Sequence, residues 1–376
     1  MTANSAPGRD GLADGQSPVV EAWRGVAAWM VVYTHFWAFS GTDWPALRLT
    51  HTGVNLFFVV SGFVFAPYLF GRPLDLRAHA VRRFFRIYPA YVAALVVYAA
   101  LKAAEGQPLR YLAEHLTFLH VQSKEMAFYY NPPFWSLPAE VEFYLVLPLL
   151  AGLAWRAHGR WGPGGPQGLL VGLLLAAAAL RWALGTASDS AAQNAAFIAL
   201  HHLPGVLVEF LLGVLAWRVS TRSLSSSMRV GMLGLGLTAW LGLATWYGQV
   251  GDTGVEAGPL RGLMGAATAV CFALMVAATV QVAQATRVGA AAPGTDARRT
   301  WTGLALWAGR LSYGVYLFHM AALRLAEGWA AGWGWGAGAV KWLAVVLTLA
   351  MATVVYLAWE DPWRRFGRRW AARLKG

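Results

Sequence analysis

Apolar residues gather into runs long enough to cross a bilayer, about ten of them, at roughly 19–40, 52–70, 83–101, 134–156, 168–184, 196–217, 229–248, 260–281, 303–326 and 338–359. Short polar stretches, many rich in Gly, Pro, Ser or Arg, separate them. The pattern predicts an all-α, polytopic integral membrane bundle of about ten transmembrane helices, with no soluble domain and no internal repeat. Glycine is frequent inside the runs, as expected where helices approach closely in lipid. One connection, roughly 102–133, is longer than the others, and its half-apolar stretch from Tyr111 to His120 is too short to span. Two readings fit that stretch: an interfacial or re-entrant element lining an outer opening, or an amphipathic helix resting on headgroups.

Basic residues set the orientation. With the N-terminus inside, 20 of the 30 Lys and Arg fall on inner segments, 8 on outer segments and helix ends, and Arg24 and Arg310 within runs. Both termini are therefore expected to be cytoplasmic. Residues 1–17 lack the basic start and apolar core of a secretory signal and read as a disordered cytoplasmic tail. Residues 18–360 form the transmembrane domain, and 361–376 a basic cytoplasmic tail. A composition of 57% hydrophobic residues with a mean hydropathy of +0.46 agrees with a membrane protein. The net charge of +12 is scattered between apolar segments instead of collected on a soluble domain, which argues against nucleic acid as a partner. The single Cys271 excludes an internal disulfide.

Charges inside apolar runs are the candidates for chemistry, because an arginine in hydrocarbon costs about 2.5–3.5 kcal/mol even on a lenient scale. In the first run, Arg24 and His35 lie eleven residues apart, about three turns, so they share one face roughly 16 Å apart. That stripe faces a protein interior or wet cavity; the alternative is a snorkelling Arg24 and a packing His35. The third run opens with Arg82, Arg83 and Arg86, clustered forks suited either to phosphate or to a positive-inside anchor. The fourth carries Glu140 and Glu142, which point to different helix faces. The ninth carries Arg310, Ser312, Tyr313 and His319. Counted from the cytoplasmic ends, Arg24 and Arg310 fall in the inner half, while His35, Glu140 and His319 fall in the outer half. The expected pathway thus has arginines at an inner mouth and a histidine–carboxylate group further out. Histidine suits a general base near neutral pH. The same residues suit a proton-coupled transporter or flippase, although no inverted repeat accompanies them. A purely structural scaffold leaves the buried charges without a role.

Six stretches, in order along the chain, resemble membrane-bound acyltransferase family 3, the group that contains bacterial O-acetylases of cell-envelope glycans and of some secreted small molecules. They are Arg24-Gly25 with His35; 53–63, Gly53-Val54-Asn55 through Ser61-Gly62-Phe63; Arg82-Arg83-Phe84-Phe85-Arg86-Ile87-Tyr88-Pro89; Trp135-Ser136-Leu137 with Glu140 and Phe143-Tyr144; Ser312-Tyr313-Gly314 through His319; and Glu360-Asp361-Pro362. The resemblance implies a multi-pass enzyme of the bacterial cytoplasmic membrane. It would take an acyl group, usually acetyl, from a coenzyme A thioester and deliver it to a hydroxyl of a glycan or small molecule. Carried over residue by residue, His35 would be the essential histidine, Arg24 its motif partner, Glu140 the acid, and Arg82, Arg83 and Arg86 the donor-site arginines. Trp135, Glu142, Ser312, Tyr313 and His319 are assigned to substrate contact. Acyl-coenzyme A enters as donor substrate; no bound cofactor and no metal are expected. This chain departs from the family pattern at Glu21-Ala22, at Pro138 and at Val141, where a second consecutive acid is common. A mechanism that needs adjacent carboxylates would have to use Glu142. The secreted hydrolase-like domain fused to some relatives is not expected.

Overall fold

A computed structural model describes residues 17–38, 44–186, 190–256, 259–280 and 296–374, with side chains left aside at 190–192, 251–256, 259–261 and 296–299. The expected tail at 1–17, apart from Ser17, lies outside the described residues. Helix α1 (Pro18–Tyr33) runs into a π-helical turn (Thr34–Ala38), and a 3-10 stretch (Pro45–Thr52) leads into α2 (Gly53–Leu69) and α3 (Leu76–Ala104). Two short helices, α4 (Leu112–Leu116) and α5 (Lys124–Phe128), and a 3-10 turn (Pro132–Trp135) precede α6 (Ser136–Trp161). Then follow α7 (Gly165–Gly185), α8 (Ser190–His201), α9 (Leu203–Ser220), α10 (Ser226–Glu256) and α11 (Pro259–Thr279). Last come α12 (Asp296–Ala330), α13 (Ala337–Val355), a second π-helical turn (Tyr356–Glu360) and α14 (Asp361–Arg373). No strand occurs among the described residues, so the chain is an all-α polytopic bundle.

Seven of the described helical stretches are long and apolar enough to cross a membrane. Helices α1 and α12 are outside that set; α1 carries Arg24 and leads into the π-helical turn with His35, and α12 carries His319. Helix α2, apolar on all sides, is buried in the middle of the bundle. Two glycines let it meet α9: a Cβ on Gly62 would stand 1.9 Å from the Phe210 carbonyl oxygen, and one on Gly213 2.0 Å from that of Val59. Close backbone packing of this kind replaces the hydrophobic drive that lipid does not supply. Phe58, Phe143 and Phe210 fill the adjoining space, with the last two stacked 4.0 Å apart.

A buried polar knot ties four helices together. Arg181 of α7 pairs with Glu209 of α9 at 2.7 Å, and Asn55 of α2 donates to the same carboxylate at 3.0 Å. Arg181 also donates to the Gly205 and Gly262 carbonyls, the latter on α11. Arg181, one of the eight basic residues that the charge count assigns to outer segments and helix ends, is buried because these acceptors satisfy its fork.

The long connection at 102–133 folds back along α3. Tyr91 lies thirteen residues, about 20 Å, from the end of α3. Its hydroxyl donates to the His115 carbonyl at 2.9 Å and its ring stacks on Phe118 at 4.7 Å. Helix α4 therefore lies beside the middle of α3, well short of its C-terminal end. His202, between α8 and α9, pins this element: one ring nitrogen bonds Glu142 and the other the Val121 carbonyl, while the Leu203 N–H donates to Glu142 at 2.7 Å. His115 and His120 stack at 4.1 Å, both buried. Burial pushes the His115 pKa down to about 4 and that of His120 to about 3.

Candidate active site

Helix α3 starts on an Asp75 cap that accepts the Ala78 N–H at 2.9 Å, and its first turns bring Arg83 and Arg86 to one face. They meet Arg24 of α1 and Glu140 of α6 around a narrow cavity of about 60 Å³, enough for a few waters. Ser61 of α2, Ser136 and Tyr144 of α6, and Ser312, Tyr313 and Tyr316 of α12 supply the rest of its polar wall.

The three arginines are held differently. Arg24 pairs with Glu21 at 2.6 Å, one turn earlier. Arg86 pairs with Glu360 at 2.9 Å, and Glu360 also takes Arg364 at 3.3 Å. Arg83 has no carboxylate partner among the described residues; its guanidinium lies over the rings of Phe65 at 5.0 Å and Tyr144 at 5.6 Å, and its buried Nε bonds nothing. A cation positioned by aromatic faces, with donors left over, suits an anionic ligand. Glu140 accepts the Tyr144 hydroxyl. Tyr313 donates to the Ile87 carbonyl at 3.0 Å and Ser312 to that of Gly309 at 2.7 Å, so both are tied to backbone.

The roof of the cavity is a second hydrogen-bonded group. Tyr316 donates to the Pro133 carbonyl, and its oxygen therefore accepts from Ser136 at 2.7 Å. Beyond Tyr316 lie the histidines. His319 directs Nδ1 at the Val315 and Tyr316 carbonyls, 3.1 and 3.0 Å away, and Nε2 at His35 Nδ1, 3.3 Å away. Carbonyls only accept, so the His319 proton sits on Nδ1 and its Nε2 is an acceptor. His35 Nδ1, also 2.9 Å from the Val31 carbonyl, must then carry the proton, which puts the lone pair of the neutral His35 ring on Nε2. The π-helical turn that holds His35 is a device often found at functional positions.

The structure brings Arg24, Arg83, Arg86, Glu140, Ser312 and Tyr313 to one cavity and His35 and His319 to a pair beside it. Arg82 is not part of the cavity wall. Glu140 differs from the expected pathway: it stands with the arginines, not the histidines, because Phe134, just before α6, packs on Tyr91 in the middle of α3 at 5.0 Å and α6 starts there. Arg310 is exposed over Trp307 and faces away. Trp135 packs edge-on against His201 at 4.6 Å and Glu142 bonds His202, so both turn toward the outer connection. Residues given no role from the sequence are Glu21, Tyr144, Ser136, Tyr316, Ser61 and Glu360; all but Glu21 sit in the motifs quoted above, which is the available signal. A larger apolar groove of about 540 Å³, lined by Trp29, Tyr33 and Trp301 among others, includes none of the candidate residues.

The sequence matches the family described as "Acyltransferase domain", family 3, over residues 18–359. Nodulation protein 10 of Rhizobium leguminosarum bv. viciae is 26% identical over 370 residues, covering 89% of this chain and 90% of that protein. ORF330 of the Acidianus two-tailed virus, which carries a provisional acetyltransferase name, is 29% identical over 144 residues, 36% of this chain and 42% of its own. Protein 2 in the picA locus of Rhizobium radiobacter is 40% identical over 91 residues, 22% of this chain and 44% of its own. No solved structure matches. A polytopic helical chain matched from its first described helix to its second π-helical turn belongs to acyltransferase family 3 and is a membrane acyltransferase.

Proposed function

We propose that this enzyme moves an acyl group, acetyl in the first instance, from a coenzyme A thioester to a hydroxyl of a cell-envelope glycan or secreted small molecule, in the bacterial cytoplasmic membrane. The observation that carries the reading is the pairing, along one helix, of an arginine cavity and a histidine with a defined basic nitrogen. Arg83, unmatched by a carboxylate, and its neighbours Arg24 and Arg86 suit the donor's phosphates, with Arg82 at the approach. The acetyltransferase name of ORF330 supports acetyl as the group transferred.

His35 Nε2 takes the proton of the acceptor hydroxyl, and the oxygen attacks the thioester carbonyl carbon. The tetrahedral adduct collapses, the carbon–sulfur bond breaks, and the departing thiolate takes the proton from His35. The same nitrogen serves a two-step route through acyl-histidine. Tyr316 and Ser136 stand between the cavity and the histidines, so the thioester arm reaches His35 when their bond opens. Glu140, at the cavity wall, faces the arginines and balances their charge.

The test is transfer of radiolabel from acetyl-coenzyme A to a mixture of envelope glycans by the purified protein in nanodiscs. Alkali-labile label on the glycan, dependent on protein, is the expected result. A folded protein that neither transfers nor hydrolyses any short-chain acyl-coenzyme A would contradict the reading.

A further inference from the structure

Residues 361–376, which read in sequence as a basic tail, include a thirteen-residue helix, α14, with three distinct faces. Gly367 and Ala371 are buried on one side, where a Cβ on Gly367 would stand 2.6 Å from Phe85 of α3, whose ring also touches the near edge of the neighbouring aromatic stripe at Trp363, Phe366 and Trp370. On a second side, Trp363, Phe366, Trp370 and Leu374, spaced three or four residues apart, form an apolar stripe 36–50% exposed. Arg365, Arg368, Arg369 and Arg373 are exposed on the third, spread over an arc of about 140°. Asp361 takes Arg365 at 2.5 Å; the other three have no carboxylate partner among the described residues.

This combination excludes two simpler environments. A helix in water would not present two tryptophans, a phenylalanine and a leucine in line, and a helix across hydrocarbon would not carry four exposed arginines. A stripe beside a basic face is the arrangement of a helix lying in the membrane interface. The stripe also continues onto exposed Leu357 and Trp359 of the preceding turn and Phe84 of α3.

We propose that α14 docks onto the anionic phospholipid headgroups of the cytoplasmic leaflet, its aromatic stripe at the acyl-chain boundary and Arg365, Arg368, Arg369 and Arg373 on the lipid phosphates. Charge complementarity selects the occupant: four guanidinium groups against one carboxylate require an anionic surface, and the adjoining stripe requires that surface to be a bilayer. Helix α14 follows directly on Glu360, which holds Arg86, so docking steadies that arginine; this consequence alone rests on reading the cavity as a donor site.

Hydrogen exchange of the full chain in nanodiscs, with and without phosphatidylglycerol, tests the docking without reference to activity. Amides of 361–373 exchange more slowly in the anionic discs, by about fivefold for each arginine in contact, and added salt weakens the effect. The combined variant Arg365→Gln, Arg368→Gln, Arg369→Gln and Arg373→Gln loses the lipid dependence, while the four Arg→Lys substitutions retain it. Equal exchange of the wild type in both discs overturns the proposal, and so does an undiminished lipid dependence in the glutamine variant. If the glutamine variant does not fold, the wild-type comparison and the lysine variant decide.

Discussion

His319 Nε2 stands 3.3 Å from His35 Nδ1, and the other nitrogen of His319 is committed to two carbonyls of its own helix. His319 can therefore only accept from His35. A ring fixed by α12, together with the Val31 carbonyl 2.9 Å away, holds the proton on one nitrogen of a ring in the π-helical turn after α1, the part that a carboxylate plays in other acid–base groups.

Replacing His319 by Leu removes that acceptor. Steady-state kinetics should show kcat lower by on the order of 100-fold or more with donor KM little changed, while His319→Gln, which offers an amide oxygen, recovers part of the rate. Equal rates in wild type and His319→Leu would make the contact a packing one.

Loss of Arg83 is expected to act on binding. A charge-assisted hydrogen bond contributes about 1.5–3 kcal/mol, so Arg83→Ala should raise donor KM by roughly tenfold or more. Arg83→Lys should restore little, because an ammonium cannot lie flat on Phe65 and Tyr144 as the guanidinium does. Unchanged donor affinity in Arg83→Ala would place the phosphates elsewhere.

Acid should loosen the connection at 102–133. An unfolded histidine takes a proton below about pH 6.5, whereas buried His115 refuses it until about 4 and His120 until about 3. The unfolded state thus binds more protons in this window, and stability falls with falling pH by about 1.4 kcal/mol per unit for each histidine. Protection across 111–131, corrected for the intrinsic pH dependence of amide exchange, should fall between pH 6.5 and 4.5, and a His115→Gln, His120→Gln variant should lose most of that dependence.

The knot of α2, α7, α9 and α11 is expected to be structural. Glu209 is fully buried, so Glu209→Ala strands the Arg181 charge and should destabilise by about 3–5 kcal/mol, read as a lower thermal midpoint in detergent. A midpoint equal to that of wild type would mean that water reaches Arg181.

What could be read from the sequence was local. Every apolar run centres on a helix, since about twenty apolar residues decide their own structure in lipid. The spacing of Arg24 from His35, and of Arg83 from Arg86, needed only helix geometry. Partners far along the chain were not legible. Glu360 lies 274 residues from Arg86, and His319 284 from His35, and no periodicity links such positions. The depth of Glu140 was misjudged because the half-apolar stretch from Tyr111 to His120 fits a surface helix as well as one folded back along α3. Arg181 looked like a helix-end charge because its acceptors, two of them backbone carbonyls, carry no sequence signature.

The division of labour between arginine cavity and histidine is tested most directly by coenzyme A release and donor binding, measured together on wild type, His35→Ala and Arg86→Ala, each checked for fold by thermal unfolding. The account predicts turnover in wild type, none in His35→Ala with donor binding retained, and weakened donor binding in Arg86→Ala. Undiminished turnover in folded His35→Ala, or donor binding indifferent to Arg86, would contradict it.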